Sequence, residues 1–150
     1  MQKITTFLSF KDKGFEAINF YLSIFKKSKL NYISRDGDKL LYAAFELDGS
    51  QFMAMDGGEP FKFEMGTSMY IDCADQKEVD YYWEKLTADG GEPGQCGWLK
   101  DKYGVSWQVV PKVLGELLMG KEPAQQKKVM DAMLKMGKLD IDGLKKAAQG

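Results

Sequence analysis

The sequence predicts an α+β fold made of two βαβββ units, each with a curved mixed sheet, followed by C-terminal helices. Two observations indicate this arrangement. An apolar stripe with helical spacing occurs twice, 61 positions apart, and each stripe is followed by alternating segments with glycines at their turns. The stripes are Ile18, Tyr21, Leu22 and Phe25, then Val79, Tyr82, Trp83 and Leu86.

The first unit spans residues 1–58. Its run Ile4–Phe10 is short and apolar, which is typical of a strand, and Asp12 is the predicted N-cap of the helix that follows. After the helix, alternation of apolar and polar residues predicts a meander of three strands. These strands are Leu30–Arg35, Leu40–Leu47 and Gln51–Met55.

The second unit spans residues 62–111. Asp75 and Glu78 form a start like a capping box for its helix. The glycine-rich run Gly90–Gly97 is predicted to be a plain connection, because no Lys-Ser or Lys-Thr pair follows it and no helix begins there. The strands predicted in this unit are Thr67–Ile71, Trp98–Lys100 and Val105–Val110.

Residues 112–150 form a predicted helical extension of a single domain that spans residues 1–150. Pro123 begins a helix that Gly137 ends, and Asp140 is the predicted cap of a last short helix. The apolar positions of the helix that begins at Pro123 predict packing on the domain or across a dimer interface. The alternative is that this helix docks on another protein.

The composition excludes several classes of protein. Twenty-one basic and twenty-two acidic side chains give a net charge of -1, so neither nucleic acid nor an acidic membrane is an expected partner. The N-terminus lacks the apolar core of a secretion signal, and we expect a cytoplasmic protein. The two cysteines, Cys73 and Cys96, are expected to be reduced. The chain has no histidine, which excludes Ser-His and Cys-His catalysis.

Two runs, Phe52–Gly58 and Gln95–Pro111, carry a family resemblance. Together with Val79–Leu86 and the tail helix, they resemble the PhnB-like branch of the glyoxalase, bleomycin-resistance and extradiol-dioxygenase superfamily, also called the vicinal oxygen chelate (VOC) superfamily. The resemblance spans essentially the whole chain. Such proteins are often labelled 3-demethylubiquinone-9 3-methyltransferase-like, but no glycine-rich nucleotide loop follows the first strand, so methyl transfer is not expected.

The resemblance implies a paired βαβββ fold, usually dimeric, whose concave cups hold a divalent metal or an organic ligand. In metal-using members the ligands, mostly His and Glu, come from the first strand of each unit and from the fourth residue after the turn glycine. Here those positions are Thr6, Met53, Thr67 and Gln108. Because they offer no anionic or imidazole donor, neither a metal nor a cofactor is expected. The cups form either within one chain or by exchange of halves across a dimer.

Strand alternation predicts which side chains face the cups. Gln51, Met53 and Met55 share one face of their strand, and Ser106, Gln108 and Val110 share the matching face of theirs. Phe52 and Trp107 are expected to pack under the helices on the opposite faces. The predicted ligand pocket comprises Thr6, Met53, Met55, Thr67, Met69, Trp98 and Gln108. The alternative is that the methionines fill the core and Gln108 bonds to backbone. No catalytic residue is predicted.

Three hypotheses on function follow. The leading one is a metal-free homodimer that binds a small, partly apolar organic molecule in its cups. The alternative is a lyase, isomerase or dioxygenase whose divalent metal is held by oxygen donors, such as Glu46, Glu64 or Asp72 with Gln108. The third is a protein-interaction module that acts through the tail helix.

Overall fold

The computed structural model describes residues 2–119 and 121–150, which contain eight β-strands and five α-helices. These residues form two compact units, the first ending at Lys62 and the second running from Phe63 to Gly150. Each unit has one four-stranded sheet. That the two modules and the tail form one domain stays a prediction.

The first unit is a strand, a helix and a three-stranded meander. In its sheet the strand order is β1-β4-β3-β2, with β1 parallel to β4 and the other neighbours antiparallel. The elements are β1 (Thr6–Phe10), α1 (Gly14–Ile24), β2 (Ser28–Asp36), β3 (Lys39–Leu47) and β4 (Ser50–Asp56).

Helix α1 packs on one face of this sheet. Its buried residues include Ile18 and Tyr21, which belong to the predicted stripe. On the sheet, the buried rings of Phe45 and Phe52 stack with their centroids 5.5 Å apart. The predicted packing of Phe52 under the helix is therefore confirmed.

The start of α1 differs from the prediction. The N-cap residue is Lys13 rather than Asp12, and no capping side chain bonds there. Instead the buried Asp56, at the end of β4, accepts hydrogen bonds from the Gly14 N–H at 2.7 Å and the Leu40 N–H at 2.9 Å. A helix-start pattern depends only on residues that are neighbours in sequence, so it could not predict the Asp56 carboxylate, which is 42 positions from Gly14.

The second unit repeats this topology and adds the tail. Its sheet has the order β5-β8-β7-β6, again with the first and last strands of the unit parallel. A short 3-10 turn over Ala88–Gly90 follows the first helix. The elements are β5 (Met69–Cys73), α2 (Gln76–Thr87), β6 (Glu92–Pro93), β7 (Trp98–Lys100), β8 (Ser106–Pro111), α3 (Lys112–Leu118), α4 (Pro123–Leu134) and α5 (Ile141–Gln149).

The predicted start of α2 is confirmed. Asp75 is the N-cap and accepts a hydrogen bond from the Glu78 N–H at 2.9 Å, while the Glu78 carboxylate accepts one from the Ala74 N–H at 3.0 Å. The glycine-rich connection, however, contains the two-residue strand β6. A pairing of two residues is too short to leave a sequence pattern.

The C-terminal helices pack on the second unit. Val110 of β8 joins Val129, Leu139 and Leu144 in one buried cluster. Val110 shares the strand face of Gln108, as predicted, but the tail covers its side chain there. Asp140 occupies the N-cap position of α5, but its side chain does not bond, and Gln76 Oε1 accepts from the Ile141 N–H at 2.8 Å instead.

The predicted fold class is confirmed: two mixed four-stranded sheets, each in a βαβββ unit, with C-terminal helices. Within residues 2–119 and 121–150, no helix has both the length and the apolar character needed to cross a membrane.

Candidate functional site

Each sheet has a covered face, which packs on its helix, and an open face. In β4 the burial alternates: Phe52, Ala54 and Asp56 are buried, whereas Met53 and Met55 are only half-buried. The predicted placement of Met53 and Met55 together on the open face of the first sheet is therefore confirmed.

Thr6 does not lie on that open face. It pairs with Phe52 across the parallel β1–β4 ladder, and so it shares the covered face. The residue that pairs with Met53 is Phe7, whose side chain is 43% exposed. The assignment was wrong by one position, and a shift of one residue moves a strand side chain to the other face.

In the second unit the predicted first-strand residues also lie elsewhere. Thr67 precedes β5 and is exposed, and Met69 pairs with Trp107 on the covered face. Tyr70 pairs with Gln108 and is the open-face residue of this ladder. The Thr67 error has a physical origin: Phe10 and Cys73 occupy equivalent ladder positions 63 apart, but the helical stripes are 61 apart, so a strand position carried over by the helical spacing falls two residues early. The strand-to-helix connection is residues 11–13 in the first unit and residues 74–75 in the second.

A pocket of about 420 Å³ lies on the open face of the second sheet. Trp98 and Lys100 of β7 alternate onto this face, and Ser106 of β8 pairs with Lys100. The pocket lining includes Met65, Pro93, Cys96, Trp98, Lys100 and Ser106. Trp98 is thus the predicted ligand residue that the structure places in a pocket.

Gln108 lies beside this pocket rather than in its lining. It pairs with Trp98 across β7 and β8, and its Nε2 donates a hydrogen bond to the Ser68 hydroxyl at 2.9 Å. The amide is thus already engaged with a side chain of the loop before β5. Its predicted role as a polar anchor stays a prediction.

The lining also contains the polar side chains of Glu92, Gln95, Lys100 and Ser106. The Ser106 hydroxyl is buried and has no hydrogen-bond partner among the described residues. Lys100 forms no ion pair with any residue in the ranges 2–119 and 121–150. A buried hydroxyl without a partner typically costs about 1–3 kcal/mol, so a polar group that reaches Ser106 would be stabilised there.

We call the residues Gly94–Gly97, which border one side of this pocket, the wall loop. Gly94 donates its N–H to the Trp98 carbonyl at 2.8 Å, and the Gly97 carbonyl accepts from the Val109 N–H at 2.8 Å.

The turn after β7 is fixed by Asp101, which is 3% exposed. Its carboxylate accepts hydrogen bonds from the N–H groups of Tyr103 and Val105 and from the Trp107 indole, at 2.8 to 3.1 Å.

Sequence reasoning missed part of this lining. The alternation of β7 places Lys100 on the face of Trp98, so the pattern could have identified it. Met65 lies in an irregular segment and Pro93 in the two-residue strand β6, and for both of these periodicity gives no signal.

The family model of 3-demethylubiquinone-9 3-methyltransferase matches residues 2–110. The chain belongs to this family. It is the PhnB-like branch of the VOC superfamily, as a PhnB protein from Bacillus cereus indicates. That protein, described provisionally as a 3-demethylubiquinone-9 3-methyltransferase, is 37% identical, covering 73% of this chain and 99% of its own, with a TM-score of 0.69.

Two further structures share the fold of this PhnB-like chain. Protein PA1353 from Pseudomonas aeruginosa is 20% identical over 75% of this chain and 98% of its own, with a TM-score of 0.63. The fosfomycin resistance protein FosX from Listeria monocytogenes is 20% identical over 78% and 96%, with a TM-score of 0.59. A search of proteins with curated function found no match.

The divalent metal used by other VOC proteins does not fit the donors of this PhnB-like chain. The ladder positions that face the open sides are Phe7, Met53, Tyr70 and Gln108, which offer a phenyl ring, a thioether, a phenol and an amide. Loss of hydration, and then the nearby Asp72 carboxylate, raises the pKa of the Tyr70 phenol, so it stays neutral at physiological pH. Neutral and soft donors of this kind make a poor divalent site.

The alternative oxygen donor that can be described in detail is Glu46. Glu46, on the first sheet, accepts from Asn31 at 3.0 Å and pairs with Lys29 at 3.4 Å, and the Asn31 hydrogen bond chiefly lowers the pKa of Glu46. In the part of the chain that the structure describes, no three Cys, Asp or Glu side chains form a potential metal cluster.

The two cysteines differ sharply in environment. Cys73 is fully buried, and burial raises the pKa of its thiol to about 12. Cys96 is half-buried in the wall loop. Only Cys96 is therefore available to a thiol reagent in the folded protein.

Proposed function

We propose that this PhnB-like chain is a cytoplasmic, homodimeric binding protein that takes a small, partly apolar organic molecule without a metal. The observation that carries the proposal is the pocket of about 420 Å³ beside Trp98. Its size and mostly apolar lining suit a small ligand, which such pockets hold through apolar contact and a few placed polar groups.

The lining suggests how such a ligand would lie. A flat or apolar part would contact the Trp98 ring, with Met65 and Pro93 around it. Its polar end would lie near the Lys100 ammonium and the Ser106 hydroxyl, which lack protein partners among the described residues. An aromatic or branched carboxylate has both features.

Native mass spectrometry of freshly purified protein is the first experiment, because one spectrum gives subunit number, bound metal and any retained organic molecule. A dimer that carries an organic adduct supports the proposal. Stoichiometric metal would contradict the metal-free part of it. A monomer would contradict the dimeric part.

A thermal-shift screen of aromatic and branched carboxylates tests the pocket itself. A ligand at 100 times its Kd stabilises the folded state by about 2.7 kcal/mol, which raises the melting temperature by several degrees. The shift should disappear in Trp98→Ala. It should persist in Trp83→Ala, a control in which the lost ring lies on α2 outside the pocket lining.

The screen also includes S-adenosylmethionine, because the family description names a methyltransferase. Stabilisation by this compound, together with methyl transfer to an acceptor, would replace the binding role by an enzymatic one. Absence of any shift across the panel would contradict the proposal.

A further inference from the structure

The tail contacts the wall loop through backbone hydrogen bonds. The Cys96 N–H donates to the Met136 carbonyl at 2.8 Å, and the Gly97 N–H donates to the Gly137 carbonyl at 2.9 Å. Leu139 packs directly under the loop, since a Cβ added at Gly97 would lie 3.0 Å from its side chain. We call the residues Met136–Leu139 the bracing segment.

The wall loop has a conformation that requires such support. Cys96 has a φ of +60° and Gly97 a φ of +83°. For a residue with a Cβ the left-handed region is disfavoured, and such a conformation persists only where the surroundings fix it. The two carbonyls of the bracing segment hold both amides of this stretch.

The bracing segment is itself fastened to α2 by side chains. Gln76 Nε2 donates to the Leu139 carbonyl at 3.0 Å, and Gln76 Oε1 accepts from the Ile141 N–H at 2.8 Å. Lys138 pairs with Asp80 at 2.8 Å. Gln76 thus bonds on both sides of Asp140, where the chain enters α5.

We propose that the bracing segment sets the shape of the pocket wall, and that Gln76 is a positioning residue that acts on the pocket through it. The inference rests on the proposed binding function and adds which residues determine the shape of the pocket. Residues 136–139 lie outside the match of the family model, which ends at residue 110. The wall of this pocket is therefore fixed by a part of the chain beyond the matched region.

The experiment compares Gln76→Ala with Gln126→Ala in the full-length protein. Gln126 is a matched control, because its side chain also makes two hydrogen bonds to the tail backbone: its Nε2 donates to the carbonyls of Leu118 and Lys121, at 2.9 and 3.1 Å. It does not bond to the wall loop or to the bracing segment. If these glutamine bonds only stabilised the tail, Gln76→Ala and Gln126→Ala would have similar effects on Cys96 labelling.

The first measurement needs no ligand. Cys96 is labelled with iodoacetamide under native conditions, and the exchange of the Cys96 and Gly97 amides is followed, each protein being held equally far below its own melting temperature. Gln76→Ala should label and exchange about tenfold faster than wild type, because local opening becomes easier. Gln126→Ala should match wild type. Buried Cys73 serves as the internal control that reports global unfolding.

The second measurement uses 8-anilinonaphthalene-1-sulfonate, an aromatic anion, as the probe of the pocket. Its Kd should rise about fivefold or more in Gln76→Ala and stay constant in Gln126→Ala. Gln76→Glu keeps the acceptor for the Ile141 N–H, but it replaces the donor to the Leu139 carbonyl and to Asp80 Oδ1, 2.9 Å away, by a second carboxylate, so the Kd should rise in this variant as well. This variant also serves if Gln76→Ala does not fold.

The inference is overturned if Cys96 labelling and amide exchange in both Gln76 variants equal those of Gln126→Ala. If the probe does not bind the wild-type pocket while labelling changes as expected, the proposed function fails and the bracing stands. If the probe binds wild type and every variant equally, the bracing does not control the pocket.

Discussion

The two units have one topology but differ in the meander. In the first unit β2 and β3 have nine residues each, whereas in the second β6 has two and β7 has three. In the second unit residues 94–97, between these short strands, form the wall loop that borders the pocket. Short strands therefore leave room for a binding site, and backbone groups without a ladder partner need partners from elsewhere.

The buried carboxylates show the same difference. Asp56 of the first unit joins the start of α1 to β3, so it holds the helix on the sheet. The Asp101 carboxylate of the second unit accepts hydrogen bonds from two amides and the Trp107 indole of the β7–β8 hairpin. The comparison predicts that Asp101 compensates for the short ladder of the second unit.

The largest effect is expected from Asp101→Ala. Loss of the carboxylate leaves two buried donors, the Val105 N–H and the Trp107 indole, and the part-buried Tyr103 N–H without this partner. The free energy of unfolding should therefore fall by about 4 kcal/mol, measured by urea denaturation. Hydrogen exchange should accelerate first in the second unit. In Asp56→Ala two buried N–H donors lose their acceptor, so the free energy of unfolding should fall by about 3 kcal/mol. Hydrogen exchange should then accelerate first in the first unit.

A double-mutant cycle with Trp107→Phe identifies the indole bond. Because Trp107→Phe removes the donor, the double variant should be less destabilised than the sum of the two single variants. Additive effects would show that Asp101 does not hold Trp107, despite the distance of 2.8 Å.

Most of the fold follows from sequence, because its signals are local. The apolar stripes, the Asp75–Glu78 cap and the strand Trp98–Lys100 each depend on neighbouring residues. The Asp56 cap of α1 could not be predicted, because its partners are brought together by the fold alone.

The next largest loss in the free energy of unfolding is expected from a substitution in the C-terminal tail. Leu144→Ala opens a cavity in the buried cluster, and we expect a loss of about 3 kcal/mol in thermal or urea unfolding. Leu134→Ala is the matched control, since that side chain is 58% exposed and its loss should cost less than about 0.5 kcal/mol. If Leu144→Ala leaves the unfolding of the second unit unchanged, the tail is a separate module and the interaction hypothesis gains support.

High pH should weaken the second unit through Cys73. Its thiol pKa is raised from 9 to about 12 in the folded state, so the folded state binds the extra proton between these values. The stabilisation is therefore complete below pH 9 and is lost as pH rises towards 12. By pH 10.5 wild type should lose about 2 kcal/mol that Cys73→Ala does not lose, as measured by urea denaturation at each pH. Parallel curves for the two proteins would contradict this assignment.

The candidate site was predicted less well than the fold. Trp98 could be predicted because it lies beside the glycine-rich run Gly90–Gly97. The predicted faces of Thr6 and Met69 are wrong, because an error of one residue in strand register moves a side chain to the other face. The bracing segment could not be found from sequence, since its contacts with the wall loop are backbone hydrogen bonds that carry no side-chain pattern.

The smallest effect is expected from Lys138→Ala. The pair with Asp80 is about half exposed, so its loss should cost about 0.5 kcal/mol at pH 7, and less in high salt. The Lys138 hydrogen bond, followed by that of Gln76, lowers the pKa of Asp80. The contribution is therefore present above the ordinary pKa of 3.8 and is lost as pH falls through the lower folded value.

Lys127→Ala provides the control for this prediction. Its pair with Asp131 at 2.8 Å lies within α4, so stability should change by a similar amount without an effect on the wall loop. A faster labelling of Cys96 in Lys138→Ala alone would show that even a weak side-chain tie reaches the pocket through the bracing segment. Equal labelling in both variants would assign the support of the wall to Gln76 and the backbone hydrogen bonds, and so to contacts that salt and pH do not weaken.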